Sequence, residues 1–411
     1  MNPEPISILH FSNTVARGGV EGHILTLLRG LDRNRFRLYL ACSPEVVELL
    51  GSDVPADVPV FPLRFRKLHH VGGAIRLARL LRGVRIDILH SHLFYSSLFA
   101  SPVGKVSRVP VTIETPHVRE QWRHGLKSRF FVDRFAGHFV DRYIAVSQAN
   151  ARYLIEEKKL PERKIQVIRN GCDIRHFNPE HQAPRGLKQS LGFGEADPVL
   201  LVLGRLEPQK GHRYLLEALP AILREFPKAK LVCLGDGCLR GELEEMSRGL
   251  GIADAVRFVG FQSNVSDWLA LADVSVLPSL YEGLPLVALE SLAAVRPVVA
   301  SAVDGTVEIV LDGKTGFAVP PAEPARLSEA ILRLLRDPEL RRKFGEAGRK
   351  LVLENFSQEQ QIRKTEEFYL EVFAQKAMKR TGRKIDAEAR EPLPQKNPIV
   401  AEGCLEERKI V

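Results

Sequence analysis

Short apolar runs alternate along the chain with stretches whose apolar residues recur every three or four positions, the pattern of βαβ units and parallel sheets. Residues 6–11 read as a first strand and residues 12–19 as a polar, glycine-containing loop. Residues 20–31 then read as a helix with Ile24, Leu27, Leu28 and Leu31 on one face. Strands expected at 36–42, 87–90, 111–113, 141–147 and 165–168 complete a first half. Residues 178–198 are rich in Pro, Gly and polar side chains, with room for one short helix. The pattern restarts with strands at 199–204, 230–234, 256–259, 274–277 and 297–300, and helices such as 213–225 and 239–250 fit between them. The expected fold is α/β: two Rossmann-like domains, 1–177 and 199–375, joined by a 178–198 linker and facing each other across a cleft. A last helix at about 357–373 is expected to cross back to the first domain through Phe368, Tyr369 and Phe373, and 376–411 reads as a polar, disordered tail.

Composition narrows the class without choosing a function. Of the 411 residues 45% are hydrophobic and 27% charged, which excludes wholesale disorder. Cys42, Cys172, Cys233, Cys238 and Cys404 are odd in number and irregularly spaced, so they form neither a disulfide framework nor a zinc pattern. With no basic, apolar leader and no long uncharged apolar run, the expectation is a cytoplasmic protein. The net charge of +9 is unevenly divided: residues 1–180 carry 27 Lys and Arg against 17 Asp and Glu, whereas 181–375 carry 23 against 27. The basic half suits nucleic acid, an anionic membrane or a phosphorylated substrate.

Two loops carry the candidate chemistry. Gly204-Arg205-Leu206-Glu207-Pro208-Gln209-Lys210-Gly211 follows the first strand of the second half, where an open α/β sheet binds its ligands. Arg205 offers a planar fork and Lys210 a mobile point charge, a pair able to clamp a diphosphate from two sides. In Glu282-Gly283-Leu284-Pro285-Leu286-Val287-Ala288-Leu289-Glu290 one carboxylate stands on a Gly/Pro loop and the second lies within a helix. Amides at Gly283, Leu284 and Leu286 can face an anion, Pro285 suits a first helical turn, and Glu290 can accept from two vicinal hydroxyls. Taken singly, each of these residues is equally an ordinary surface cation, turn acid or helix acid.

Together they resemble the GT-B glycosyltransferases of family 4, the retaining enzymes that use nucleotide-activated sugars. The resemblance covers residues 6 to about 373. It is strongest in Gly204–Gly211 and in Ala272-Asp273-Val274, Leu277-Pro278-Ser279, Glu282-Gly283 and Glu290; Asn170-Gly171-Cys172-Asp173, Phe177, Gly235-Asp236-Gly237, Phe258-Val259-Gly260 and Gly316-Phe317 support it. It implies that Gly204, Arg205 and Lys210 bind the donor diphosphate and that Glu290 binds the ribose. Glu282 then touches the donor sugar, Gly283, Leu284, Pro285 and Leu286 form the surrounding loop, and Gly18 and Gly19 form a glycine loop across the cleft. His117 matches the histidine near the donor sugar, with His90 and His92 as rivals. Val295 stands where the family usually has Gly, and Val307 where Pro is common.

The resemblance implies transfer from a UDP- or GDP-sugar with no cofactor and no metal, and no Asp-x-Asp motif argues otherwise. Arg205, Lys210 and loop amides would stabilise the departing phosphate, and Glu282 is not assigned as a nucleophile. A same-fold sugar-nucleotide epimerase or phosphorylase is the nearer alternative. A nicotinamide-dependent oxidoreductase lacks its glycine fingerprint, and a basic membrane or nucleic-acid module leaves the two loops unexplained. The acceptor is expected to be a lipid-linked glycan or a lipopolysaccharide or exopolysaccharide precursor. In the 118–140 segment, read as a helix, Arg119, Arg123, Lys127 and Arg134 fall within about 80° of one another at about 100° per residue. Trp122, Leu126, Phe130 and Phe131 border them. Such a stripe suits peripheral contact with the inner face of the cytoplasmic membrane.

Overall fold

The computed structural model describes residues 4–65, 71–120 and 130–380. In the first half β1 (Ile6–Ser12), β2 (Phe36–Cys42), β3 (Val60–Pro62), β4 (Ile88–His92), β5 (Val111–Thr115), β6 (Arg142–Ala145) and β7 (Ile165–Val167) form one sheet, ordered β3-β2-β1-β4-β5-β6-β7. In the second half β8 (Val199–Leu203), β9 (Lys230–Leu234), β10 (Val256–Gly260), β11 (Val274–Leu277), β12 (Val298–Ser301) and β13 (Gly316–Val319) form another, ordered β10-β9-β8-β11-β12-β13. Neighbouring strands pair in parallel, and β8, apolar at every position, is buried along its whole length, as a strand covered on both faces must be.

Strand order reverses between β1 and β4 in the first sheet and between β8 and β11 in the second. Such switch points are where open α/β sheets leave a crevice at the carboxyl ends of their strands. The Gly18-Gly19 loop follows β1, the 204–211 loop follows β8 and the 278–290 stretch follows β11. Topology thus brings both second-half motifs to one crevice. The helix Gln358–Arg380 returns to the first sheet, where Phe368, Tyr369 and Val372 join a core with Ile24, Leu27, Leu28 and Phe36.

Three local expectations change. The strands β3 and β13 were not expected, because β3 ends on Pro62 and β13 opens on Gly316, residues that interrupt the apolar runs marking the other strands. Residues 118–140 do not form one helix: among the described residues only Phe131–Ala136 is α-helical, and Arg119 lies outside it, bridging Glu157 and, at 3.7 Å, Asp304. Trp122, Arg123, Leu126 and Lys127 lie outside the described residues. The last helix runs through Arg380 rather than ending near 373, so residues 376–380 are helical; the rest of the expected tail lies outside the described residues. No described helix is long and apolar enough to cross a membrane.

Candidate active site

The 204–211 loop is shaped by its glycines and by a single 3-10 turn, Pro208–Lys210. Gly211 holds φ at +64°, and a Cβ there would lie 2.0 Å from the carbonyl of Pro278, so only glycine lets this loop pack against the chain after β11. The turn folds Lys210 back over Gly204 and brings its Nζ to 2.5 Å from Glu282 Oε1. Arg205 is exposed and makes no ion pair among the described residues. Its Nε lies 3.9 Å from where a Gly18 Cβ would stand, so it reaches across the cleft to the first domain.

Glu282 is buried, and Ser279 Oγ donates to the same oxygen at 2.7 Å, so Oε1 is bound from two sides. Its backbone N–H donates to Asp304 Oδ2 at 2.9 Å. Burial raises the Asp304 carboxyl above its ordinary range, against the pull of that N–H and of Arg119. The N–H groups of Gly283 and Leu284 donate to nothing among the described residues, leaving two adjacent donors free. The helix Leu286–Ala293 starts immediately afterwards; Pro285 is its N-cap, with ψ at 115°, and not a residue of its first turn. Glu290 makes no hydrogen bond through its carboxylate among the described residues. It is only half-buried at its surface, but the protein around it pushes its carboxyl up to about 7. An acid left in this state is poised to gain from polar partners.

On the facing wall Gly18 caps the helix Gly19–Gly30, and its N–H donates to the buried Glu21 at 2.9 Å. A Cβ on Gly19 would meet nothing within 4 Å, so its backbone is open to the cleft. Beneath lies a cluster of five buried histidines. Pairing of β1 with β4 sets His10 opposite His90, and His92 follows on the same face. His10 Nδ1 lies 3.1 Å from His92 Nε2, and His92 Nδ1 lies 3.0 Å from His117 Nε2. His23, from the helix Gly19–Gly30, stands edge-on to His117 at 4.7 Å between ring centres. Burial pulls His10 down to about 3 and His23 to about 4, and takes His90, His92 and His117 well below the ordinary value, so the rings are neutral.

His117 is the histidine nearest the second domain, since its carbonyl packs on Gly283. Its rivals sit deeper. His90 is spent on Tyr369 (2.6 Å) and Thr115 (2.7 Å), and His92 lies behind His117. Gly18, Gly19, Gly204, Arg205, Lys210, Glu282, Gly283, Leu284, Leu286, Glu290 and His117 therefore gather around one cleft, with the side chain of Leu284 buried and only its backbone offered. Sequence reasoning missed His23, Asn170 as a contact residue, and Asp304. Asn170 lies 3.0 Å from His23 Nδ1 and donates to the Leu284 carbonyl at 3.1 Å, joining the histidines to the second-half loop. The signal that could have found His23 is its place five residues after Gly18 on the helix that opens at the cleft.

Comparison with known proteins agrees with this geometry. Residues 185–351 match the model of the glycosyl transferases group 1, and residues 17–176 match that of Glycosyltransferase Family 4. An uncharacterized glycosyltransferase of Methanocaldococcus jannaschii is 31% identical over 69% of this chain and 75% of its own length. A UDP-Gal:alpha-D-GlcNAc-diphosphoundecaprenol alpha-1,3-galactosyltransferase of Escherichia coli is 25% identical over 90% of this chain and 98% of its own. Among solved structures, HepE of Anabaena in complex with UDP and glucose superimposes with a TM-score of 0.78 at 20% identity, covering 89% of this chain and all of HepE. Two facing switch points, the loops they carry and these matches lead to one conclusion: the chain is a GT-B glycosyltransferase and belongs to Glycosyltransferase Family 4, the group 1 glycosyl transferases.

Proposed function

We propose that the chain transfers a hexose from a UDP- or GDP-sugar to a lipid-linked glycan or a polysaccharide precursor, with retention at the anomeric carbon and with no metal ion on the departing phosphate. The observation that carries this reading is the Lys210–Glu282 pair at 2.5 Å, which joins the two segments that also carry Arg205 and Glu290, whose side chains have no ion pair among the described residues. A nucleoside diphosphate gives each a partner. Arg205, Lys210 and the free amides of Gly283 and Leu284 take the phosphates, and Glu290 takes the ribose hydroxyls. As the sugar–phosphate bond breaks, negative charge grows on the leaving phosphate, and donors held beside it would stabilise that charge. Glu282 Oε1 is occupied by Lys210 and Ser279, which suits an acid that orients the sugar better than one that attacks it. The acceptor would then attack from the leaving-group face and give its proton to the departing phosphate. The neutral His117 would hydrogen-bond a sugar hydroxyl.

The acceptor reading draws on the Escherichia coli relative, whose name gives it a diphosphoundecaprenol substrate. It also draws on the helix Phe131–Ala136, which exposes Phe131, Val132 and Phe135 beside Arg134. An apolar patch edged by a cation suits a peripheral station at the cytoplasmic face of the membrane. A calorimetric screen of UDP- and GDP-sugars tests the donor: saturable binding to one of them that Glu290→Ala weakens supports the reading, and no binding overturns it. Sedimentation with anionic and neutral liposomes tests the membrane station, which equal binding to both would refute.

A further inference from the structure

We propose that His23, His92 and His117 form a binding site for one divalent transition-metal cation of the zinc, nickel or copper kind, beneath the donor cleft. One ring nitrogen from each lies within 4.8 Å of the others, and all three side chains are buried. Four-coordinate zinc at about 2.0–2.1 Å holds its ligands about 3.4 Å apart, so ring rotations on the order of 1 Å close the set. The three rings are neutral imidazoles, the ligand type these metals favour, and no carboxylate joins them to attract magnesium or calcium.

The surrounding hydrogen bonds also fit. His23 Nε2 is buried with no partner, an orphaned polar atom in an otherwise well-connected site. Its Nδ1 is 3.0 Å from Asn170 Oδ1 and 3.0 Å from the Gln361 amide. In the tautomer that donates to Asn170, Nε2 presents its lone pair. His92 has its Nδ1 toward His117 and its Nε2 toward His10 Nδ1, so one nitrogen can bind metal while the other donates to His10. Partners of this kind fix tautomer and ring orientation in histidine metal sites. The second histidine triad, His10, His90 and His92, is a poorer candidate because Tyr369 and Thr115 take both nitrogens of His90.

His117 is the least buried of the three and stands where the first domain meets Gly283 of the second. With the metal on Nε2, the His117 ring is fixed and its Nδ1 carries the proton, so it meets the donor sugar only as a hydrogen-bond donor. That last consequence rests on the proposed function; the metal site itself does not.

Equilibrium dialysis of the full chain against zinc chloride, with magnesium chloride as the contrast, tests the site. One zinc per chain is expected, with no magnesium. His23→Gln and His92→Asn, each checked for folding by circular dichroism, should lose it. Asn170→Ala should weaken it by about 10- to 100-fold. Cys238→Ser, which removes the exposed thiol, should keep it. Cobalt provides a readout on the unaltered protein: intense visible absorption of a four-coordinate, nitrogen-ligated ion is expected. Absence of bound zinc, retention in both histidine variants, or a cobalt spectrum with a thiolate charge-transfer band would overturn the proposal.

Discussion

Gly283 packs its Cα directly against the carbonyl of His117, so that a Cβ at this position would stand 1.7 Å from that oxygen. The two residues stand on loops that follow strands of different sheets, and their contact joins the two domains. Backbone cannot yield as a flexible side chain can, so Gly283→Ala must part the domains. The reacting groups would separate with them, and misplacement on the order of 1 Å costs about 100-fold in rate. A fall in kcat of that order is expected, with a more open small-angle scattering profile. An unchanged profile with full activity would show that the contact is dispensable.

Lys210 and Glu282 are expected to fail differently, although they touch. If Lys210 holds the diphosphate as proposed, removing it takes away a charge-assisted contact of about 1.5–3 kcal/mol, or about 10- to 150-fold in affinity. Glu282→Gln keeps the ammonium and the shape of the loop but weakens orientation of the sugar. Lys210→Ala should therefore raise Kd for UDP or GDP, whereas Glu282→Gln should lower kcat with nucleotide affinity nearly intact. Calorimetry and initial rates on the two variants separate these effects, and wild-type nucleotide affinity in Lys210→Ala would count against the assignment.

The legible part of this site is the part that is contiguous in sequence. Arg205 and Lys210 share one loop, Glu282 and Glu290 share one loop and helix, and each follows a strand whose apolar run is unmistakable. The histidine cluster is the opposite case. His10, His23, His90, His92 and His117 come from three strand ends and a helix, and only the parallel register that sets His10 against His90 collects them. Asp304 was hidden for the same reason, since it reaches the backbone of Glu282 from a turn more than twenty residues away. The 118–140 segment misled because a helical angle was carried through Arg119, which lies outside the helix Phe131–Ala136 and has its charge engaged elsewhere. Arg119 is held by Glu157 and stacked on Tyr153 at 5.3 Å.

Glu290 should give donor binding a pH dependence of its own. Its carboxyl is pushed up to about 7 by burial, so it is largely protonated below that value in the ligand-free protein. The ionised form, with both oxygens free to accept, holds two ribose hydroxyls better than the protonated one, so affinity for a UDP-sugar should fall as pH drops through about 7. A nucleotide sugar, rather than free UDP, avoids titrating a terminal phosphate. The effect on stability runs the other way. A carboxyl whose pKa is raised on folding favours the folded state at low pH, and that contribution is lost as pH rises from the ordinary range through about 7. Glu290→Gln should flatten both trends, and a UDP-sugar affinity that still falls below pH 7 in this variant would place the titrating group elsewhere.

Val295 follows the helix Leu286–Ala293 with φ at +60°, the left-handed conformation in which such helices usually end on glycine. Its N–H donates to the Leu292 carbonyl at 3.0 Å, so the turn is formed in spite of the branched side chain. A left-handed residue with a Cβ costs about 1–2 kcal/mol, and glycine returns about 0.5–1 kcal/mol of that through its freer unfolded chain. Val295→Gly should therefore stabilise the protein by about 0.5–1 kcal/mol, less what its contact with Gly345 contributes. Asparagine, which tolerates this conformation better than valine, should fall between the two. Urea midpoints of the three proteins measure the order directly. Because Val295 lies at the far end of the helix that begins at the donor loop, kcat should not change. A glycine variant less stable than the parent would show that the valine side chain contributes more in packing than its backbone loses in strain.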